Sequence, residues 1–339
     1  MRGAAILMTA VLLGYAGNPC HADTLLTAHP APAVAIELHL PLQQLLKQRK
    51  SKAPVDGQLS VDGQMIPLTI TPRGKSRLAR CRFPPLWLDL KKSKTAGSVF
   101  EGQNKLKLVT HCGRTLESKG YLAAELLAYR LLNQLSDTSF RARAVTVTYI
   151  DTTNNKTQRH HGFVIEHKKQ LAKRLDFELL EQPKLKLSTL DGPYITIANL
   201  FQFMIANADF SFSQGPDDDD CCHNSVPARD AQGRYFSVPY DFDSSGLVNP
   251  PYGVPAQSLG LKRLTQRRYR GFCRHNEFLA DARQLFVAKK ATLMQMAEGY
   301  DEIPNLNHNK VTRFLTDFFD TLETDRRFQR KIVTACRKR

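Results

Sequence analysis

The first part of the chain is dominated by short segments in which apolar and polar residues alternate. Such alternation over four to eight residues is typical of a β-strand with one buried face. Between Val34 and Thr110, Gly and Pro separate five segments of this kind: VAIELHL, GQLSV, MIPLTI, LWLDL and KLKLV. Two more strands are predicted at Ala144–Ile150 and His161–Glu166. The pattern therefore predicts a β-rich first part.

Helical periodicity appears once between these strands and dominates later. The stretch TLESKGYLAAELLAYRLLNQL repeats its apolar residues along one stripe, as an amphipathic helix does. Further on, DGPYITIANLFQFMIANAD begins with a capping Asp, and apolar residues from Val311 to Leu322 recur every three or four positions. This order predicts an α+β chain with a β-rich lobe at 34–166, a hinge at 167–168 and a helical lobe at 169–339.

The N-terminus is typical of a secretory signal peptide. Arg2 precedes an apolar stretch, and Ala22 supplies the small residue at which cleavage is expected, so the signal occupies residues 1–22. Residues 23–33 are rich in Ala, Pro and Thr and are predicted to form a flexible leader. No later segment has the apolar length of a membrane span. We therefore predict an exported protein, periplasmic or secreted.

Charge adds a second expectation. The sequence has 48 Lys and Arg against 32 Asp and Glu, a net charge of +16. This excess indicates affinity for polyanions, or else serves only solubility. The basic segment RLTQRRYRGFCRHN and the acidic run Asp217–Asp220 are either binding surfaces, the latter for a second cation or a basic substrate segment, or solvated loops. No motif for reading nucleic acid bases is present.

The cysteines favour disulfide bonds. Cys20 lies in the signal peptide, and an even number remains, as expected of an exported chain: Cys81, Cys112, Cys221, Cys222, Cys273 and Cys336. Their spacing matches no zinc pattern. We predict a Cys81–Cys112 bond between neighbouring strands. Because adjacent cysteines seldom pair, we also predict a bond from Cys221 or Cys222 to Cys273.

Candidate chemistry centres on the stretch VPYDFDSSGL, which follows a predicted strand. Asp241 and Asp243 point to the same side if the segment is extended, which suits a divalent cation; the alternative is a polar turn. Upstream, Asp209 ends the apolar helix, and Asn224 follows a polar loop. Phosphoryl transfer uses such a set, since one carboxylate orients the attacking hydroxyl while an amide oxygen and another carboxylate hold Mg²⁺ against phosphates.

The β-rich part offers the remaining components of such a site. Lys105 or Lys107 in NKLKLV would reach phosphates from a strand, and Glu125 on the next helix would hold the lysine by an ion pair. Taken singly, a lysine on such a strand is usually just solvent-facing and a glutamate on a helix usually just solvated; it is their order along the chain that favours a site.

Four stretches together resemble the CotH-type atypical protein kinases. TPRGKSR resembles the family's Arg-Gly-x-Ser segment, KLKLV its Lys-Leu-x-Leu strand, and HGFVIEHKKQLAKRL its strand-to-connector segment. NADF…HN…VPYDFDSSGL is similar to its catalytic Asp, metal-binding Asn and Pro-Trp-Asp-x-Asp pattern. The resemblance implies a two-lobed protein-kinase-like fold that transfers phosphate from ATP, with Mg²⁺ or Mn²⁺, to a hydroxyl of a protein substrate.

The resemblance also assigns roles to residues. Asp209 becomes the catalytic base, and the metal ligands become Asn224 and Asp241, supported by Asp243. The residues that would contact the nucleotide or support its site are Lys107, Glu125, Arg73, Ser76 and Glu166, with Lys105 as the rival of Lys107.

Three departures leave an alternative open. The interval from Asp209 to Asn224 is long, there is no Gly-x-Gly-x-x-Gly loop, and Tyr240 replaces the Trp. A non-catalytic relative that binds a polyanion or protein partner in the cell envelope also fits. A metal-dependent phosphoesterase fits less well, because the acidic cluster has few histidines.

Overall fold

The computed structural model describes residues 25–26, 32–113, 116–216 and 220–338, without the side chains of 116–119. The predicted signal peptide, most of the predicted leader and Asp217–Asp219 lie outside the described residues.

Seven strands of the first part form a closed barrel in the order β1-β2-β3-β4-β5-β7-β6. All neighbours are antiparallel except β1 and β6, which pair in parallel from Val34↔Val145 to Leu40↔Asp151 and so close the barrel. The strands are β1 (Val34–Leu40), β2 (Val55–Val61), β3 (Gln64–Pro72), β4 (Leu86–Leu90), β5 (Lys105–Val109), β6 (Ala142–Asp151) and β7 (Thr157–Ile165).

The predicted two-lobed protein-kinase-like fold is therefore wrong, because such a fold has an open sheet in its first lobe. Strand β6 bonds to β7 along one side and to β1 along the other, so the sheet has no free edge. Alternation along each strand predicts which side chains face inward but not which strands meet at the ends of the sheet. The chain is α+β, with a barrel in place of the open sheet.

Helices connect and follow the strands. Within the described residues they are α1 (Leu42–Lys47), α2 (Ser76–Arg80), α3 (Leu116–Leu135), α4 (Lys168–Leu175), α5 (Gly192–Met204), α6 (Leu279–Glu298), α7 (His308–Glu323) and α8 (Asp325–Phe328). Between α4 and α6 lies a second sheet in the order β10-β9-β8, made of β8 (Phe177–Leu179), β9 (Ser225–Asp230) and β10 (Tyr235–Pro239). Asp191 caps α5 by accepting from the Tyr194 amide at 2.9 Å, as its sequence position predicts.

Two apolar cores hold these elements together. The smaller fills the barrel, where Leu88 and Leu106 are fully buried. The larger packs α3 with α5, α6 and α7. On β4 the pleat turns Leu88 inward and leaves Trp87 on the outer face, opposite Lys107 of β5. The barrel thus presents Trp87 and Lys107 on its outer face.

The disulfides confirm one prediction and correct another. Cys81 pairs with Cys112, with Cα atoms 4.6 Å apart, although the bond joins the end of α2 to the residues after β5 and not two strands. The predicted bond to Cys273 is wrong, because Cys273 pairs with Cys336 and the two neighbours Cys221 and Cys222 pair with each other. Near this bond, the Cys273 amide donates to the Arg337 carbonyl at 2.9 Å.

These bonds are typical of an oxidising compartment. In the part of the chain that the structure describes, no helix has the length and apolar character needed to cross a membrane.

Candidate functional site

Asp209 and Asn224, separated by a loop in the sequence, meet in the structure. The Asn224 side-chain amide donates to the backbone carbonyl of Asp209 at 2.6 Å and to its Oδ2 at 3.2 Å. His223 Nε2 lies 2.8 Å from Asp209 Oδ1. Burial alone would raise the pKa of Asp209, but the hydrogen bond and charge of His223 hold it below its usual range. The Asp209 carboxylate is therefore ionised at neutral pH. Because the side chain is 48% exposed, it is also accessible to a second molecule.

Asp241 and Asp243 follow β10 in a tight turn rather than in an extended strand. Asp241 has φ +64°, in the left-handed region that Asp tolerates better than most residues. Its amide donates to the Tyr129 hydroxyl at 3.0 Å. Phe242 is fully buried, with its ring 4.7 Å from that of Tyr129 and 5.3 Å from that of Phe201. The buried ring therefore fixes the direction in which both carboxylates leave the turn.

The carboxylates of Asp241 and Asp243 interact electrostatically. Asp243 is buried, and burial together with the charge of Asp241 raises its pKa to about 6, against an opposing effect of Arg77. The Tyr252 hydroxyl donates to Asp243 Oδ2 at 3.4 Å. Asp209 also contributes to this shift, so the acidic groups from two separate loops share one space.

A buried ion pair lies behind the acidic groups. Arg77 Nη1 is 3.3 Å from Glu125 Oε2, and both side chains are buried. Burial raises the pKa of Glu125 well above its usual range; the charge of Arg77 opposes this rise, and the charges of Asp243 and Asp241 add to it. The predicted ion pair of Glu125 with a strand lysine is thus replaced by one with Arg77, since α2 brings this arginine beside α3.

Lys107 lies close to the Asp241 turn, on the outer face of the barrel. Its Nζ is 3.9 Å from the centroid of Tyr240 and 5.6 Å from that of Trp87. Burial and the charge of Arg73 lower the pKa of Lys107 to about 7, while Asp241 acts in the opposite sense. Lys107 is therefore within electrostatic reach of Asp241, as a nucleotide bridging the two would require.

The other candidates have different positions. Arg73 lies over Trp87 at 5.3 Å. Ser76 is exposed at the start of α2. Glu166 is buried and makes two contacts of 2.9 Å with the Arg174 guanidinium, which ties β7 to α4. Lys105 pairs with Asp89 at 3.6 Å.

The donor set suits a weakly protein-coordinated cation. Among the described residues, no group of three or more His, Cys, Asp or Glu side chains is placed to hold a metal ion. Asn224, Asp241 and Asp243 offer an amide and two carboxylates instead. Mg²⁺ commonly takes only one or two carboxylates from a protein and completes its shell with water and phosphate oxygens, so this set fits it.

Several residues of the site were not predicted. His223 adjoins Asn224, and Arg77 lies in the TPRGKSR stretch. Their places beside or within these motifs are the sequence signals that could have identified them. Tyr129 lies in the helix that periodicity predicts and its ring is buried in the larger core, but its hydroxyl also reaches the Asp241 turn. Periodicity reports which face is buried and not what a buried hydroxyl contacts.

Comparison of the sequence with protein-family models and with curated proteins finds no match.

Proposed function

We propose that this chain is an exported phosphotransferase, which moves a phosphoryl group from ATP to a hydroxyl of a protein substrate with the help of Mg²⁺. The observation that carries the proposal is the convergence of Asp209, Asn224, Asp241 and Asp243 near Lys107. The proposal rests on this site and not on a kinase fold, since the barrel excludes that fold. The resemblance of the motifs to CotH-type kinases supports the same chemistry.

Each residue has a role that its position supports. Asp209 orients the acceptor hydroxyl and takes its proton, because its carboxylate is accessible and ionised. His223 holds that carboxylate in place through its 2.8 Å contact. Lys107 contacts the phosphates of the donor from the barrel wall. A divalent cation held by Asn224, Asp241 and Asp243 would neutralise negative charge on the phosphates.

The decisive experiment compares Asp241→Asn with Asp209→Ala. Asn tolerates the left-handed backbone at position 241, so this change removes the charge and leaves the turn intact. We expect Asp241→Asn to weaken Mg²⁺-dependent ATP binding and to abolish transfer. Asp209→Ala should bind Mg²⁺ and ATP like wild type and transfer phosphate roughly two to four orders of magnitude more slowly. Asp320→Ala, at an exposed position of α7, is the matched control and should change neither.

Binding is measured by calorimetry with and without Mg²⁺, and transfer by labelling protein substrates from γ-labelled ATP. If wild type and both variants behave alike in both assays, the acidic groups are structural. The chain would then be better described as a non-catalytic module that binds a polyanion, which the cations around Trp87 favour.

A further inference from the structure

Trp87, the only tryptophan of the chain, is surrounded by positive charge. It stands on the outer face of β4, and its ring centroid is 5.3 Å from Arg73 Cζ, 5.2 Å from Lys105 Nζ and 5.6 Å from Lys107 Nζ. A single cation over a tryptophan is a common stabilising contact. Three cations around one ring repel one another, and this repulsion opposes the attraction of the ring.

Few negative charges compensate this cluster. Within the described residues, the salt bridge made by these three cations is that of Lys105 with Asp89, whose side chain is 52% exposed. His167 contacts the ring edge at 5.8 Å but adds no charge near neutral pH, because burial and the nearby lysines lower its pKa to about 4. The charge of Asp241 acts on Lys107 in the opposite sense to that of Arg73. Positive charge is therefore concentrated on the outer face of the barrel, beside the proposed transfer site.

We propose that Arg73, Trp87, Lys105 and Lys107, here called the Trp87 platform, bind a chain of condensed phosphate groups and recognise the phosphates rather than a nucleoside attached to them. A chain of linked phosphates carries several negative charges close together, which suits three cations grouped around one ring. A base usually binds by stacking on an aromatic face, but the cations of the platform already occupy the surroundings of the Trp87 ring. Lys107 is in addition held against Tyr240 at 3.9 Å, which narrows the space for a base.

This inference deepens the proposed function, because the platform would hold the phosphate chain of the donor. Both free tripolyphosphate and the triphosphate of ATP have the required chemistry. The experiment therefore treats them as separate arms.

Tryptophan fluorescence reports on the platform directly, since Trp87 is the only tryptophan. The mature protein is titrated with tripolyphosphate, ATP and adenosine in EDTA at about pH 6, where Lys107 is charged. We expect tripolyphosphate and ATP to change the emission with Kd values within about threefold of each other, and adenosine to have no effect. The double variant Lys105→Gln, Lys107→Gln should lower the affinity for both anions by roughly a hundredfold, since each charged hydrogen bond contributes a factor of about ten or more to the affinity.

The matched control removes the same charge elsewhere. Lys310 and Lys331 are exposed in the helical part, so Lys310→Gln, Lys331→Gln should change the affinities by less than about twofold. Equal weakening by both double variants would show that general net charge binds the anions, and would overturn the proposal. Binding of adenosine would also overturn the proposal, because it would show that the nucleoside is recognised. An affinity for ATP more than about tenfold higher than that for tripolyphosphate would have the same meaning.

The assay contains neither metal nor acceptor, so its result does not depend on transfer. Binding of tripolyphosphate by the platform in a protein that never transfers phosphate would support this inference and contradict the proposed function. If the protein transfers phosphate but its Trp87 fluorescence does not change when either anion is added, this inference is contradicted and the proposed function is not.

Discussion

Tyr129→Phe tests how the Asp241 turn is held. The change deletes one hydroxyl from a fully buried ring and leaves its packing against Phe242 intact. That hydroxyl accepts the Asp241 amide at 3.0 Å. Because Asp241 has φ +64°, its backbone conformation needs support from the surrounding structure. The hydroxyl of Tyr129 supplies that support from α3.

The expected cost follows from the orphaned amide. Leaving a buried donor without its partner costs about 1–3 kcal/mol, and the half-buried position of Asp241 favours the lower half of this range. At roughly 2 °C of Tm per kcal/mol for a chain of this size, we expect Tm to fall by about 2–4 °C. Hydrogen exchange of the segment around Asp241 should accelerate. Because the turn aims the carboxylate, metal-dependent transfer should fall by about ten- to a hundredfold.

Tyr194→Phe is the matched control. Tyr194 is also buried, and its hydroxyl donates to the Thr138 carbonyl at 2.9 Å, in a different part of the larger core. It should lose a similar amount of stability without faster exchange around Asp241 and without a loss of transfer. If Tyr129→Phe leaves exchange at Asp241 unchanged, or if both variants behave identically in all three measurements, the hydroxyl does not hold the turn and the reasoning fails.

Two further predictions concern single side chains. Because its pKa is lowered to about 7, Lys107 loses its proton as the pH rises through 7. An acylating reagent at about pH 7.5 should therefore modify Lys107 faster than ordinary lysines, whose pKa is about 10.4. Mass spectrometry that finds no preference for Lys107 would contradict this prediction. Glu302 contacts the buried guanidinium of Arg130 at 2.6 Å through both carboxylate oxygens, so Glu302→Ala should cost about 3 kcal/mol of unfolding free energy in denaturant titration. The exposed neighbour Asp301→Ala should cost less than about 0.5 kcal/mol, and equal costs would show that the pair contributes nothing.

The local elements were largely predictable because each satisfies a pattern of its own. Strand β1 coincides with VAIELHL, and α5 begins directly after its capping Asp191. In both cases, the signal lies within the residues that form the element. Closure of the barrel depends instead on the parallel pairing of β1 with β6, more than a hundred residues apart in sequence. Nothing within either strand specifies that partner.

The site follows the same division. Asp209, Asn224 and Asp241 were found because their residue types and order suggest chemistry, and the structure brings them together. The partner of Glu125 was not found, because a strand lysine and a helix arginine are equally plausible partners for a buried carboxylate. The choice of Arg77 depends on where α2 lies against α3, which is a tertiary property.

Lys107 connects the two halves of the proposed chemistry. Burial and then the positive charge of Arg73 lower its pKa, while the negative charge of Asp241 raises it. An anion bound at the Trp87 platform would offset Arg73 and so favour the charged form of Lys107. A cation beside Asp241 would offset the carboxylate and favour the neutral form. The phosphate chain therefore raises the pKa of the Lys107 amine and the divalent cation lowers it. A ligand that brings both would leave Lys107 charged only where the effect of the phosphates on its pKa is larger than that of the metal.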